Sequence, residues 1–160
     1  MCVCMCFIAN IYCKHTSHLS EYMEFGINYF AVLVAAIASM VIGSVWYGPL
    51  FGKMFIEEMG MNKLSPEEQE RMRKSMTKAY VLQFLASLVM FFVLAWYVVT
   101  SVHTGVMGGV ANAFGLWLGF VVPLALGNAL WGGKMSLFWL NIGNMFVTLL
   151  TAGAIIGAWR

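Results

Sequence analysis

The sequence predicts an all-α fold, an integral membrane four-helix bundle, on three observations. Four apolar stretches, approximately Ile27–Gly48, Tyr80–Val102, Val106–Leu130 and Leu137–Ala158, each exceed the roughly 20 residues that an α-helix needs to cross a ~30 Å hydrocarbon core. None of the nine basic and seven acidic residues lies inside any of them. Hydrophobic residues make up 61% of the 160-residue chain and charged residues 10%, against about 25% charged in soluble domains. A helix of a soluble protein shows a polar face to water, so charge confined this strictly to linkers marks lipid-facing spans.

The first segment stands apart. Residues 1–22 hold all four cysteines, Cys2, Cys4, Cys6 and Cys13, followed by His15 and His18. Thiolates and imidazoles bind soft metals, but Cys-x-Cys-x-Cys lacks the Cys-x2-Cys spacing common in structural zinc sites, so no metal site is expected. The apolar run Met1–Cys13 is too short to span and has no basic residue before it, unlike a signal peptide. Met23 opens "MEFGINYFAVLVAA", which leads directly into the first span. Residues 1–22 are therefore read as an atypical tail outside the natural product, and 23–160 as the single membrane domain.

Along that domain, Gly48-Pro49 is expected to stop the first helix, because proline lacks the backbone donor that would continue it. Gly60 suits a helix C-cap. Ser65-Pro66-Glu67-Glu68 reads as a helix start, with Ser65 as N-cap and Glu68 completing a capping box. Glu67 with Arg71 and Glu70 with Lys74 are i,i+4 pairs in the favourable order. No breaker follows before the second span, so this helix should run unbroken out of the membrane. Pro123 is expected to kink the third span.

Small residues recur at helical-contact spacing: Ala35, Ser39 and Gly43 on the first span, Gly115, Gly119, Pro123 and Gly127 on the third, Gly153 and Gly157 on the fourth. Such stripes let helix backbones approach in lipid, within one bundle or between copies in a homo-oligomer. Trp46, Tyr47, Trp131, Trp139 and Trp159 fall near span boundaries and read as interfacial anchors.

Charge distribution sets an orientation. Lys53, Lys63, Arg71, Arg73, Lys74, Lys78 and Lys134 lie in the first and third linkers, whereas only Lys14 and Arg160 lie on the other side. The positive-inside rule then places loop 49–79 in the cytoplasm of a multi-pass cell-membrane protein, with both termini outside. The basic loop residues meet anionic lipid or serve only as topology signals. Membrane lipid is the expected partner and nucleic acid is not.

Polar groups gather in the loop-side half of the spans. Gln83 and Ser87 lie just inside the second, Asn128 near the end of the third, and Asn141 and Asn144 near the start of the fourth. Asn141, Asn144, Thr148 and Thr151 step by three, four and three, so they share a helix face. Amides in hydrocarbon need partners. Gln83, Asn128, Asn141 and Asn144 are therefore either interhelical glue, at ~0.6 kcal/mol per contact, or the lining of a polar pocket. No ionisable group joins them, which argues against proton-coupled transport and intramembrane proteolysis. No catalytic residues, metal site or cofactor are expected.

The segment "INYFAVLVAAIASMVIGSVWYGPLFGK", "AYVLQFLASLVMFFVLAW" after the charged loop, "WLGFVVPLALGNALWGGK" and the terminal "GAIIGAW" resemble the bacterial DUF1761 family. Its Trp-Tyr-x-Pro-Leu-Phe-Gly-Lys segment is the most specific part. The resemblance implies a small four-helix membrane protein and carries no assigned activity. The expected role is a structural or accessory bundle rather than an enzyme; the alternative is a small-solute or lipid binder or transporter that uses the polar layer.

Overall fold

Asn28 starts the first helix by accepting from the backbone N–H groups of Phe30 and Ala31 through its side-chain oxygen, at 3.1 and 3.2 Å. The computed structural model describes residues 26–103, 105–131 and 134–159, and among them every regular element is helical. The tail 1–22, with its cysteines and the metal reading attached to them, lies outside the described residues.

Helix α1 (Tyr29–Val45) does not stop at Gly48-Pro49 as the sequence suggested. It widens into a π-turn over Trp46–Leu50. The Phe51 N–H reaches back five residues to the Trp46 carbonyl at 3.0 Å, and this wider loop accommodates a proline without a donor. Helix α2 (Gly52–Glu58) follows and ends before Gly60, whose φ of 69° is the left-handed conformation that glycine adopts without penalty.

Helix α3 (Pro66–Thr100) is unbroken over 35 residues, as its sequence implies. The capping box is formed: Ser65 accepts from the Glu68 N–H at 3.3 Å, and Glu68 accepts from the Ser65 N–H at 2.8 Å. Lys74 pairs with Glu70 at 3.4 Å on the solvated turn. Helices α4 (Gly105–Leu116) and α5 (Val122–Trp131) form the third span and are joined by a second π-turn, Trp117–Val121. The distortion expected at Pro123 thus lies just before it, in the turn that contains Gly119, whose carbonyl the proline cannot satisfy. Helix α6 (Met135–Ala158) is the fourth span. All four spans are long and apolar enough to cross a membrane.

The closest approach is between α4 and α6. A Cβ added to Gly153 would meet the Gly109 carbonyl at 2.5 Å and the Ala113 Cβ at 2.7 Å; one added to Gly157 would meet the Gly105 carbonyl at 2.5 Å. Only glycine permits that seam. Gly115, Gly119 and Gly127, expected to pack, have nothing within 4 Å of such a Cβ. The third span therefore packs through Gly105, Gly109 and Ala113, on a different face from the stripe read in the sequence.

The apolar core lies in the half of the bundle nearer the termini. Ala31, Val32, Ala35 and Ala36 of α1 pack with Phe91, Leu94, Ala95 and Val98 of α3 and with Leu149, Ala152 and Ile156 of α6. There Asn28 Nδ2 donates to the Trp159 carbonyl at 3.4 Å, so the start of α1 and the end of α6 lie together. Toward the loop side, among the residues whose burial is described, α1 has none buried after Ala36 and α3 none before Ser87.

Candidate polar cavity of the loop-side half

Where α1 and α3 lose that shared core, a cavity of about 460 Å³ opens between them and α6. Ser39, Gly43, Ser44 and Tyr47 line it from α1 and the first π-turn, Tyr80, Gln83 and Ser87 from α3, and Asn141, Asn144 and Thr148 from α6. Each helix also contributes one methionine, Met40, Met90 and Met145. Among the described residues, no Asp, Glu, Lys, Arg or His lines it. The lining is graded in depth: Ser87, Asn144 and Thr148 are buried, whereas Ser44, Gly48, Tyr80, Gln83 and Asn141 are exposed at the rim.

Two tryptophans fix the α6 wall. Trp46 Nε1 donates to the Leu140 carbonyl at 3.1 Å and Trp117 Nε1 to the Ile142 carbonyl at 3.0 Å. Each tryptophan opens a π-turn, and together they hold α6 from both neighbouring spans. Gly143 makes room for this, because a Cβ there would lie 3.0 Å from the Trp46 ring. Trp46 is thus turned into the bundle rather than out to the membrane boundary, since its indole N–H finds a carbonyl there. Trp131, Trp139 and Trp159 are 92%, 65% and 45% exposed, as boundary aromatics are. Tyr47 also turns inward, donating its hydroxyl to Asn141 Oδ1 at 2.8 Å.

The loop closes against this end of the bundle. Lys134 Nζ donates to the Glu58 carbonyl at 2.7 Å and lies 3.2 Å from its carboxylate, which also accepts from Ser136 Oγ at 2.9 Å. The Ser136 hydroxyl, then Lys134, lowers the Glu58 pKa below the usual carboxylate value. Tyr47 and Phe55 pack ring to ring at 5.1 Å, tying α2 to the π-turn.

The serines and threonines that face the cavity or lie nearby mostly satisfy themselves along their own helix. Ser39 donates to Ala36 O, Ser44 to Met40 O, Ser87 to Gln83 O and Thr151 to Val147 O, all at 2.7–2.8 Å. Thr148 does not. Its Oγ1 and the Asn144 Nδ2 are buried with no hydrogen-bond partner among the described residues, and both residues are only 5% exposed. An unsatisfied buried polar group costs about 1–3 kcal/mol. Two of them, one turn apart on one wall, are the most unusual chemical feature of the described residues.

The amides singled out in the sequence do not form one group. Gln83, Asn141 and Asn144 reach the cavity, but Asn128 lies in a neighbouring groove of about 470 Å³ between α5 and α6, with Asn141 and Met145 on the shared wall. Among the described residues no hydrogen bond joins one of these amides to another. Thr148 and Tyr47 belong to the site although neither was singled out as a binding residue. Thr148 was legible as the next residue on the Asn141–Asn144 face, whereas the inward turn of Tyr47 follows from a π-turn that has no plain sequence signature. Among the described residues no three His, Cys, Asp or Glu side chains gather as a metal site.

Residues 30–157 match the family described as "Protein of unknown function (DUF1761)". No curated protein matches the chain, and no solved structure does.

Proposed function

The chain belongs to the DUF1761 family, whose function is unknown, and we propose that its loop-side cavity binds an uncharged, hydrogen-bonding ligand, making it a membrane-embedded binder or transporter of such molecules. The observation that carries this reading is the lining itself: the amides of Gln83, Asn141 and Asn144 gather with the hydroxyls of Ser39, Ser44, Tyr47, Tyr80, Ser87 and Thr148 around one cavity between three spans. Among the described residues only the Tyr47–Asn141 bond joins two of these side chains, whereas glue between helices would pair more of them. The volume of about 460 Å³ falls in the usual range for small-molecule sites. The glycine seam and the tryptophan clamps supply a rigid scaffold, the role expected of a purely structural bundle, but they leave the cavity without one. Among the described residues the lining offers amides and hydroxyls and no carboxylate or imidazole to act as acid or base, which supports binding over catalysis.

The seven-to-two excess of basic residues on the loop side supports a cell-membrane orientation with loop 49–79 in the cytoplasm and both termini outside. In that orientation the cavity opens in the cytoplasmic half. Native mass spectrometry of the protein purified in mild detergent tests the binding reading. A molecule retained by the wild type and lost from Asn144→Leu and Thr148→Val is expected. Equal retention by both variants, or a wild type carrying nothing, contradicts it.

A further inference from the structure

We infer that the groove between α5 and α6 seats one glycerophospholipid of the loop-side leaflet, with its phosphate at Lys134, its glycerol ester at Asn128 and an acyl chain along the apolar floor. The groove lies beside the cavity, across Asn141 and Met145. Its origin is the shape of the third span. Up to the π-turn, α4 meets α6 at the glycine seam. Beyond Trp117–Val121 no residue of α5 is buried, and nothing lies within 4 Å of a Cβ at Gly127. Val121, Ala125 and Asn128 step by four and three along α5, and Leu137, Asn141 and Met145 by four and four along α6, so each set shares a helix face. The two faces line a groove of about 470 Å³ instead of interlocking. In a bilayer such a gap is filled, because its lining otherwise has no partner atoms.

What fills it follows from the order of groups with depth. Lys134 lies just outside the span that begins at Met135. Its ammonium has three N–H donors. One goes to the Glu58 carbonyl and another faces the Glu58 carboxylate at 3.2 Å, which leaves one on a side chain 58% exposed. Lys134 is also the N-cap of α6 and its side chain caps no backbone N–H, so the first turn of this 24-residue helix keeps donors and partial positive charge for an anion. The Glu58 carboxylate is held by Ser136 and Lys134 and offsets the lysine's charge. The site therefore offers a phosphate donors rather than net charge, and headgroup identity should matter little. Asn128 comes next, about 4.5 Å deeper than the exposed Trp131 along the helix. It is exposed in the groove, and among the described residues its side chain has no hydrogen-bond partner. An amide facing hydrocarbon needs one, and a lipid ester carbonyl accepts from its Nδ2 at this depth. Asn141, the other amide on the groove, is engaged by Tyr47. Deeper, Leu124 and Ala125 face Leu137 and Phe138 across an apolar floor. From Lys134 to Met145 is about 16 Å along α6, enough for much of one acyl chain.

The test adds lipid to the delipidated full-length protein in maltoside detergent and resolves successive binding steps by native mass spectrometry. Dioleoylphosphatidylglycerol and dioleoylphosphatidylethanolamine should each give one lipid bound well ahead of the rest. Dioleoylglycerol, which lacks the phosphate, should not. Asn128→Leu should weaken that first step about tenfold, the loss of one well-made hydrogen bond. Ala125→Phe, which fills the groove with a ring, should abolish it, and Val93→Leu, at an exposed position of α3, should leave it unchanged. Size-exclusion chromatography confirms that each variant is folded; Asn128 packs in no core, so its variant carries the test if Ala125→Phe does not fold. Equal steps with no preferred first lipid, or a first lipid held as tightly by Asn128→Leu as by wild type, overturn the seat. Dioleoylglycerol bound as tightly as the phospholipids overturns the phosphate contact, and displacement of the first phospholipid by inorganic phosphate overturns the lipid in favour of a soluble anion. Each of these results concerns the groove of α5, so the cavity reading stands or falls on its own experiment.

Discussion

Substituting Gly153→Ala tests the packing that holds the cavity walls in place. The added methyl would lie 2.5 Å from the Gly109 carbonyl oxygen and 2.7 Å from the Ala113 Cβ. Comfortable non-bonded contact is about 3.5–4.0 Å, so the α4–α6 seam must open by roughly 1 Å. Both obstacles are backbone or the first side-chain atom, and neither can rotate away. Overpacking of this kind costs about 1–3 kcal/mol, a fall of roughly 2–12 °C in the thermal midpoint for a chain this long. The assay is thermal unfolding in mild detergent, with Gly115→Ala as control. Nothing lies within 4 Å of a Cβ at Gly115, and exchanging a helical glycine for alanine there should be neutral or stabilise by up to about 1 kcal/mol. Adding Ala113→Gly to Gly153→Ala removes one obstacle and leaves the carbonyl, so it should restore only part of the loss. A Gly153→Ala protein as stable as wild type, beside a destabilised Gly115→Ala, would refute the seam and return the third span to the face first read from sequence.

Three further outcomes follow from individual contacts. Asn141→Leu should strand the Tyr47 hydroxyl and cost about 1 kcal/mol; the double change with Tyr47→Phe should cost less than the sum of the singles. The pair Asn128→Leu with Asn141→Leu should be additive in unfolding measurements, because the two amides share no hydrogen bond. The Glu58 carboxyl has a depressed folded pKa, so its contribution is present at neutral pH and is lost as pH falls through that value, below the usual carboxylate range. Thermal scans should show Glu58→Gln less stable than wild type at pH 7, with the gap closing in acid; a gap that widens in acid would contradict the Ser136–Lys134 clamp. For orientation, a cysteine introduced as Gln69→Cys should resist an impermeant thiol reagent in intact cells, and ready labelling there would invert the topology.

Much of this architecture was legible before the structure. Spans, the Gly60 turn and the Ser65 capping box follow from hydropathy and local capping chemistry, which act over a few residues and need no tertiary context. Helix rotation does not. The third span carries glycines on more than one face, and only the partner decides between Gly105–Gly109–Ala113 and Gly115–Gly119. The same limit hid the inward turns of Trp46 and Tyr47, because a π-turn shifts which residues face the neighbour and sequence periodicity assumes a regular helix. The candidate site was half legible. The step from Asn141 to Asn144 to Thr148 placed one wall correctly, but Asn128 was grouped with it by depth alone. Depth says how far a residue lies from the boundary and not on which side of α6 it emerges.

The sign of the stability change for Asn144→Leu, measured on protein stripped of any co-purifying molecule, tests the central claim most directly. Asn and Leu side chains have the same branched arrangement of heavy atoms, and Asn144 Nδ2 has no partner among the described residues to lose. If the cavity is a ligand site, removing a buried, unsatisfied donor leaves stability unchanged or raises it by about 1 kcal/mol. If the amide is glue between helices, the same substitution lowers stability by about 1–2 kcal/mol, and that result would contradict the binding-site account.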